Sequence, residues 1–216
     1  TMRNLVVVLL FVVALVVSGT SPAGAAQEIT VAAASDLNFA FKDITALFEK
    51  TTGIHVKLSF GSSGNFFSQI QNGAPYDLYF SADSRYPHKL VESGHAVASS
   101  LYIYAVGRIV LWVPKSSPLQ IEQRGLDVLL DPVVKKIAIA NPKHAPYGRA
   151  AVAAMEQAQV YERVKDKLVL GENVSQTAQF VESGAADVGI IALSLALAPP
   201  MQAAGRYKEI PAEAHP

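Results

Sequence analysis

The feature of this sequence that most constrains its fold is a repeated alternation of short apolar runs with amphipathic segments. Residues 29–34 are apolar without alternation, as buried parallel strands are. Apolar residues then recur at helical spacing from Leu37 to Phe48, and Thr52-Gly53 closes that helix. Units of this kind follow one another along the chain, and they predict an α/β protein with mainly parallel sheets flanked by helices.

The positions of the strands indicate two lobes. Strands are predicted at residues 29–34, 55–60, 77–81, 101–106, 109–113, 137–140, 168–170 and 187–192. Helices in the second half are predicted near residues 126–130, 148–158 and 176–183. The runs at 101–106 and 109–113 follow each other without a helix between them, which favours a change of lobe there. We therefore predict a first lobe at residues 26–108 and a second lobe at residues 109–193.

The first 25 residues have the pattern of a secretory signal peptide. Arg3 precedes an apolar run at residues 5–17, and small residues follow it up to Ala26. A charged start, an apolar middle and an A-x-A end predict cleavage after Ala25. The run is also shorter than the roughly 20 apolar residues that span a bilayer. We expect the mature protein to be exported to the periplasm.

Composition excludes several classes of function. The chain of 216 residues has 18 basic and 18 acidic side chains, so it lacks the positive charge of a nucleic-acid-binding protein. It contains no Cys, which removes disulfides, thiolate nucleophiles and iron–sulfur ligands. Its five His show no HxxxH spacing and do not predict a metal site.

Hydroxyl and small residues follow the predicted strands at the points where ligands bind in open α/β sheets. These segments are Ala34-Ser35-Asp36, Phe60-Gly61-Ser62-Ser63-Gly64-Asn65, Asn141-Pro142-Lys143-His144-Ala145-Pro146-Tyr147-Gly148 and Asn173-Val174-Ser175. Each starts a predicted helix, where unpaired N–H groups and a partial positive charge favour oxyanions. Simple N-cap roles for Ser35, Ser63 and Ser175 also fit the pattern. The recurrence at successive strand ends in both halves favours an anion site.

Motifs for enzyme activity are incomplete. Residues 61–64 are one residue short of the G-x-S-x-G nucleophile elbow, and the Lys of a nucleotide-binding phosphate loop is missing. We therefore predict a binding protein rather than an enzyme. A secreted hydrolase that uses Ser63 as its nucleophile is the alternative from another functional class.

Six motifs in a fixed order carry a family resemblance: VAAASDLNFAF, FGSSGN, NGAPYDLYFSAD, NPKHAPYGRAA, GENVSQT and ADVGIIALS. With them the chain resembles the periplasmic molybdate-binding proteins of bacterial ABC importers, from about residue 29 to residue 211. The resemblance implies a two-lobed type II periplasmic binding protein, in which neutral donors hold a tetrahedral oxyanion in the cleft between the lobes.

The resemblance also implies which residues bind the oxyanion. Matched by motif, Ser35 and Ser63 supply hydroxyl and backbone N–H groups from the first lobe. Tyr147 and Val174 supply backbone N–H groups from the second lobe. All four would contact oxygens of molybdate, and none would ligate the metal atom itself.

Three further positions are weaker candidates. Asp36 and Ser62 adjoin the donors of the first lobe. Ala192 stands where some members of the family have a Tyr hydroxyl, so this donor is missing. The hydroxyl of Tyr147 is a candidate to replace it.

By resemblance, the protein captures molybdate or tungstate in the periplasm and delivers it to the permease of an ABC importer. We expect a monomer without a resident cofactor and without nucleic acid. A sulfate- or phosphate-binding protein of the same fold is the alternative, since the Asp36 carboxylate can accept the hydrogen of a protonated oxyanion. Members of the family continue past residues 211–216 with a strand that returns to the first lobe. We therefore expect residues 194–216 to be a truncated return segment to that lobe.

Overall fold

The computed structural model describes residues 27–214, so the predicted signal peptide at residues 1–25 lies outside the described part. Its strands are β1 (Glu28–Ala34), β2 (His55–Gly61), β3 (Leu78–Phe80), β4 (Ile109–Pro114), β5 (Ile137–Ala140), β6 (Leu168–Gly171), β7 (Val188–Ala192) and β8 (Gly205–Glu209). Its helices are α1 (Asn38–Thr52), α2 (Ser63–Gln71), α3 (Arg85–Glu92), α4 (Ile121–Arg124), α5 (Pro146–Gln157), α6 (Tyr161–Val164), α7 (Val174–Glu182), α8 (Leu193–Ala196) and α9 (Pro199–Ala204). Short 3-10 turns occur at Ser35–Leu37, Ala98–Ser100, Gly125–Leu130, Lys165–Lys167 and Ala212–Ala214.

The first sheet consists of three parallel strands in the order β2-β1-β3. Ala34 at the end of β1 lies opposite Gly61 at the end of β2. Because parallel strands end at the same edge, the hydroxyl residues that follow β1 and β2 are brought side by side. This register positions the first-lobe half of the site.

The core of the first lobe is small. Phe41 packs edge-on against Phe80, with their ring centroids 4.7 Å apart. Farther along α1, Ile44 and Phe48 are 55% and 36% exposed. The apolar repeat therefore predicted the helix correctly, but a sheet of three strands covers only the beginning of that helix.

The second sheet has five strands in the order β6-β5-β7-β4-β8. β5 pairs in parallel with β6 and β7, whereas β4 runs antiparallel to both β7 and β8. Its central strands are almost completely buried, and Trp112 on β4 has no exposed surface. Mainly parallel sheets with flanking helices confirm the α/β class that the sequence predicted.

Residues 101–106 do not form a strand, so this prediction is wrong. Tyr102, Ile103 and Val106 are exposed, and no strand pairs with this segment anywhere in residues 27–214. β-prone side chains form a strand only where a neighbouring strand takes up their backbone hydrogen bonds. The chain therefore enters the second sheet through β4 alone. The predicted helix near residues 126–130 is a 3-10 helix.

The segment at residues 194–216 does not return to the first sheet in its described part. Its strand β8 pairs with β4, with Gly205 opposite Pro114 and Glu209 opposite Val110. β4 offers β8 a free edge, and Gly205 permits the approach because a Cβ atom there would overlap the ring of Trp112. The expectation of a return strand to the first lobe is wrong for β8.

Within residues 27–214, no helix combines the length and the apolar character needed to cross a bilayer. The same range contains no group of three or more His, Asp or Glu side chains that could hold a metal ion.

Candidate functional site

A small cavity lies between the two lobes, at the carboxyl ends of the first-lobe strands and the N-termini of second-lobe helices. Its volume is about 10 Å³, which is roughly the space that one water molecule needs. Its walls include all four predicted donor residues and two of the weaker candidates, namely Ser35, Ser63, Tyr147, Val174, Asp36 and Ser62. The structure therefore brings six of the seven predicted positions together.

The two serines of the first lobe are held so that their hydroxyl hydrogens remain available. Ser35 Oγ accepts the backbone N–H of Ser175 at 3.2 Å, and Ser63 Oγ accepts that of Ala82 at 3.0 Å. A serine hydroxyl carries one hydrogen and two acceptor sites. Since each oxygen already accepts a hydrogen bond, its single O–H group can point into the cavity and donate to a ligand.

Backbone donors reach the cavity from three helices. Ser63 and Val174 are the first residues of α2 and α7, and Tyr147 is the second residue of α5. N–H groups in these positions have no acceptor within their own helix. Together with the positive ends of the helix dipoles, they favour an anion without any formal cation.

Gly148 allows α5 to begin this close to the sheet. A Cβ atom at Gly148 would collide with the backbone carbonyl of Ala140 at the end of β5. Only glycine lets the helix approach the strand so closely, which places the N–H of Tyr147 at the cavity wall.

The N-cap explanation of the serines is wrong. Ser62 is the N-cap of α2 and its Oγ accepts from the N–H of Asn65 at 3.4 Å. Asn173 is the N-cap of α7 and accepts from Gln176 at 3.0 Å. The turn that begins at Ser35 has no side-chain cap. None of Ser35, Ser63 and Ser175 is therefore a helix N-cap, and capping does not account for their positions.

Asp36 is a buried carboxyl group in the wall of the cavity. Its Oδ2 accepts a hydrogen bond from the hydroxyl of Tyr147 at 3.0 Å. Its Oδ1 is buried and has no hydrogen-bond partner among the described residues. Burial raises the pKa of Asp36 to about 6, although the hydrogen bond from Tyr147 opposes the change.

The hydroxyl of Tyr147 donates to Asp36 and not to the cavity. Burial and then the neighbouring Asp36 charge raise the pKa of Tyr147, so the phenol stays neutral and remains a donor. Its use as a replacement for the missing family hydroxyl is therefore wrong, because its one hydrogen is already engaged. The backbone N–H of Tyr147 is the part of this residue that can face a ligand.

Ala192 does not line the cavity. It ends β7, pairs with Ile109 and is fully buried. The chain then turns into α8, where the hydroxyl of Ser194 donates to the backbone oxygen of Asp36 at 2.8 Å. At this position the methyl side chain offers no polar contact, so we withdraw Ala192 as a candidate.

Ser62 has a histidine partner across the cleft. Its Oγ lies 2.8 Å from Nδ1 of His144, and Nε2 of His144 lies 3.6 Å from a carboxylate oxygen of Glu172. Ser63, the proposed nucleophile of the hydrolase alternative, has no such partner in the described chain. The site therefore has the form of a binding cavity.

Two cross-lobe contacts are made by Arg149, which the sequence analysis did not single out. Arg149 on α5 donates to Asp83 of the first lobe at 2.7 Å and to the hydroxyl of Tyr86 at 3.1 Å. Burial alone would raise the pKa of Asp83, but hydrogen bonds from Arg85 and Arg149 outweigh it and lower the pKa to about 2. Nothing in the sequence pairs residues so far apart.

A backbone contact closes the cleft next to this ion pair. The N–H of Gly64 on α2 donates to the carbonyl oxygen of His144 at 2.8 Å. The described structure therefore has its lobes in contact around the cavity, with donors from both sides directed at the same small space.

Fold and site together define a two-lobed solute-binding protein of the type II periplasmic class. The chain belongs to the family of bacterial extracellular solute-binding proteins, whose family model matches residues 29–216. This membership and the relatives described next confirm the resemblance that the six motifs predicted.

Among its relatives is the molybdate-binding protein ModA of Azotobacter vinelandii, with 45% identity over 172 residues that cover 80% of this chain and 67% of that protein. The molybdate-binding protein ModA of Rhodobacter capsulatus is 42% identical over 178 residues, covering 82% of this chain and 69% of that protein.

The solved structure of the periplasmic molybdate-binding protein of A. vinelandii superimposes with a TM-score of 0.80 at 34% identity. The match covers 87% of this chain and 80% of that structure. These relatives are binding proteins, so the prediction of a binding protein rather than an enzyme is confirmed.

Proposed function

We propose that the protein captures molybdate outside the cytoplasmic membrane and delivers it to the permease of an ABC importer. The observation that carries this proposal is the convergence of neutral donors from both lobes on one small cavity. Three helix N-termini and the hydroxyls of Ser35 and Ser63 face a space that no Lys or Arg of residues 27–214 lines. Such a donor set suits an oxyanion that is recognised by size and shape.

Several finer properties belong to the same proposal. Tungstate resembles molybdate in charge and shape and should compete for the same site. Sulfate is smaller and should leave some of the donors without contact, so it should bind far more weakly. We further propose a periplasmic monomer that needs no resident cofactor, in keeping with the family of extracellular binding proteins.

Calorimetry of the mature protein with molybdate, tungstate, sulfate and phosphate tests the proposal directly. We expect one site per chain, competition between molybdate and tungstate, and much weaker binding of sulfate. Equal affinity for sulfate and molybdate would contradict the molybdate assignment. Binding of phosphate alone would favour the alternative of a phosphate-binding protein.

Replacing Ser63 by Ala should weaken molybdate binding about ten- to hundredfold, which corresponds to ~1.5–3 kcal/mol for a lost donor to a buried anion. Stability should also fall, because the N–H of Ala82 loses the Ser63 oxygen that accepts it. Calorimetry gives the affinity and thermal unfolding gives the stability. Ser68→Ala on the exposed face of α2 is the control and should bind like the parent. Parent-like affinity of Ser63→Ala would remove this hydroxyl from the site.

Replacing Arg149 by Met should weaken molybdate binding by about three- to tenfold, since the bonds to Asp83 and Tyr86 exist only when the lobes touch. Arg85 supplies a matched control because it pairs with the same Asp83 from within the first lobe. Arg85→Met should leave the affinity unchanged. Equal affinities of the two variants would show that the cross-lobe pair does not contribute to closure.

A further inference from the structure

Among the described residues that line the cavity, Asp36 is the one acidic side chain and none is basic. The residue is 7% exposed. Its Oδ2 is occupied by the Tyr147 hydroxyl, whereas Oδ1 has no partner within residues 27–214. A buried acceptor without a hydrogen-bond partner destabilises the protein. A ligand or a proton in the cavity could supply the missing hydrogen bond.

No charged group of the surroundings compensates Asp36. The hydroxyl of Tyr147 on α5 donates to its carboxyl group, and Tyr104 from the segment after α3 interacts with it electrostatically. Burial raises the pKa of both phenols. The neighbouring α7 and α8 contribute the hydroxyls of Ser175 and Ser194, which do not titrate. A doubly charged oxyanion in the same cavity would therefore repel an ionised Asp36 with little screening.

We propose that the site takes up its oxyanion together with one proton, which is held between Asp36 Oδ1 and an oxygen of the anion. This inference rests on the proposed function as an oxyanion-binding protein. The proton comes from solvent, and no bond to the central atom of the oxyanion breaks. With the proton on Asp36, Oδ1 becomes one more neutral donor. With the proton on the anion, Oδ1 is its acceptor.

The empty protein is already poised for this uptake. Burial raises the pKa of Asp36 to about 6, so part of the population carries the proton near neutral pH. A dianion in the cavity favours the protonated form further. Binding should therefore be tightest at mildly acidic pH and should weaken as the pH rises.

The test is calorimetric titration with molybdate between about pH 6 and about pH 9, in pairs of buffers with different heats of ionisation, which gives the number of protons taken up. For the parent we expect uptake approaching one proton per molybdate at about pH 8. We also expect an affinity loss approaching tenfold per pH unit there.

Asp36→Asn supplies an uncharged amide of the same shape. Its molybdate affinity should be independent of pH and should exceed that of the parent at least about tenfold at about pH 8. Asp43→Asn on the exposed side of α1 is the matched control and should retain the proton uptake of the parent.

Molybdate binding by the parent without proton uptake would overturn the inference and leave the proposed function intact. A loss of affinity in Asp36→Asn, with the parent pH profile otherwise unchanged, would also overturn it. Failure of parent and variant to bind any of the four oxyanions at every pH would contradict the proposed function, and this inference with it. The molybdate-induced rise in melting temperature, measured over the same pH range, provides a second readout.

Discussion

Gly64→Ala should reduce molybdate affinity by at least about a hundredfold, because it prevents the lobes from meeting. A Cβ atom at Gly64 would lie 2.5 Å from the carbonyl oxygen of His144 and 2.9 Å from its Cα atom. Both are backbone atoms of the second lobe and cannot be moved aside as a flexible side chain can. The variant changes none of the proposed donors. It keeps the backbone N–H groups of Tyr147 and Val174 too far from an anion that is bound to the first lobe.

Stability separates this mechanism from damage to the fold. Alanine is a better helix former than glycine by about 1 kcal/mol, so α2 itself gains from the substitution. Once the lobes are apart, the hydroxyl of Tyr86, which would lie 2.8 Å from the new Cβ atom, can shift as the end of a flexible side chain. We therefore expect an unfolding free energy close to that of the parent together with the loss of affinity.

Small-angle scattering with and without molybdate measures the closure itself. The parent should be compact in saturating molybdate, whereas Gly64→Ala should keep an extended profile. Asn65→Ala places the same methyl group at the next position, which faces solvent, and should behave like the parent. A Gly64→Ala protein that binds molybdate with parent affinity would show that the lobes can enclose the anion without the approach of α2 to His144.

The parts of the site that were predictable lie next to strands in the sequence. Apolar runs located β1 and β5, and an alternating run located β2. The residues that follow such strands face the ligand in an open α/β sheet. Ser35 and Ser63 could be placed in this way, because their positions follow from local pattern. The resemblance carried by the six motifs then predicted donor roles for Tyr147 and Val174 and a molybdate-type oxyanion as the ligand.

The parts that were not predictable depend on which distant segments meet. Residues 101–106 have strand composition but no neighbouring strand, and the free edge of β4 recruits β8. Hydropathy describes one segment at a time and contains no information on pairing. For the same reason the hydropathy pattern did not reveal that the Tyr147 hydroxyl donates a hydrogen bond to Asp36, or that Arg149 donates one to Asp83.

Asp36→Asn should stabilise the empty protein by about 3 kcal/mol at about pH 8, which is the free energy that corresponds to the rise of a carboxyl pKa from 3.8 to about 6. The sign follows from proton binding. Between these two pKa values the folded protein holds the proton of Asp36 and the unfolded chain has released it. The contribution of Asp36 is therefore fully present below about pH 4 and is lost as the pH rises through about 6.

The difference in unfolding free energy between variant and parent should appear above about pH 4, grow up to about pH 6 and stay constant at higher pH. The asparagine oxygen can still accept the hydroxyl of Tyr147, and the amide has no charge to bury. Below about pH 4, where Asp36 is protonated in both states, the two proteins should unfold at similar denaturant concentrations. The comparison requires buffers without phosphate or sulfate, since a bound oxyanion would stabilise the parent by mass action.

The measurement to use is the difference in unfolding free energy between variant and parent at each pH, because other carboxylates make the parent less stable as the pH falls. Asp83, held at a pKa of about 2 by its arginines, makes the parent lose stability as the pH falls. Asp83 is unchanged in the variant and cancels when the two denaturation curves are subtracted at each pH. Asp43→Asn, on the exposed side of α1, should give a flat difference. If the difference in unfolding free energy between Asp36→Asn and the parent were also independent of pH, burial would not destabilise the charged carboxyl group. Water would then hydrate its unpaired oxygen in the empty protein.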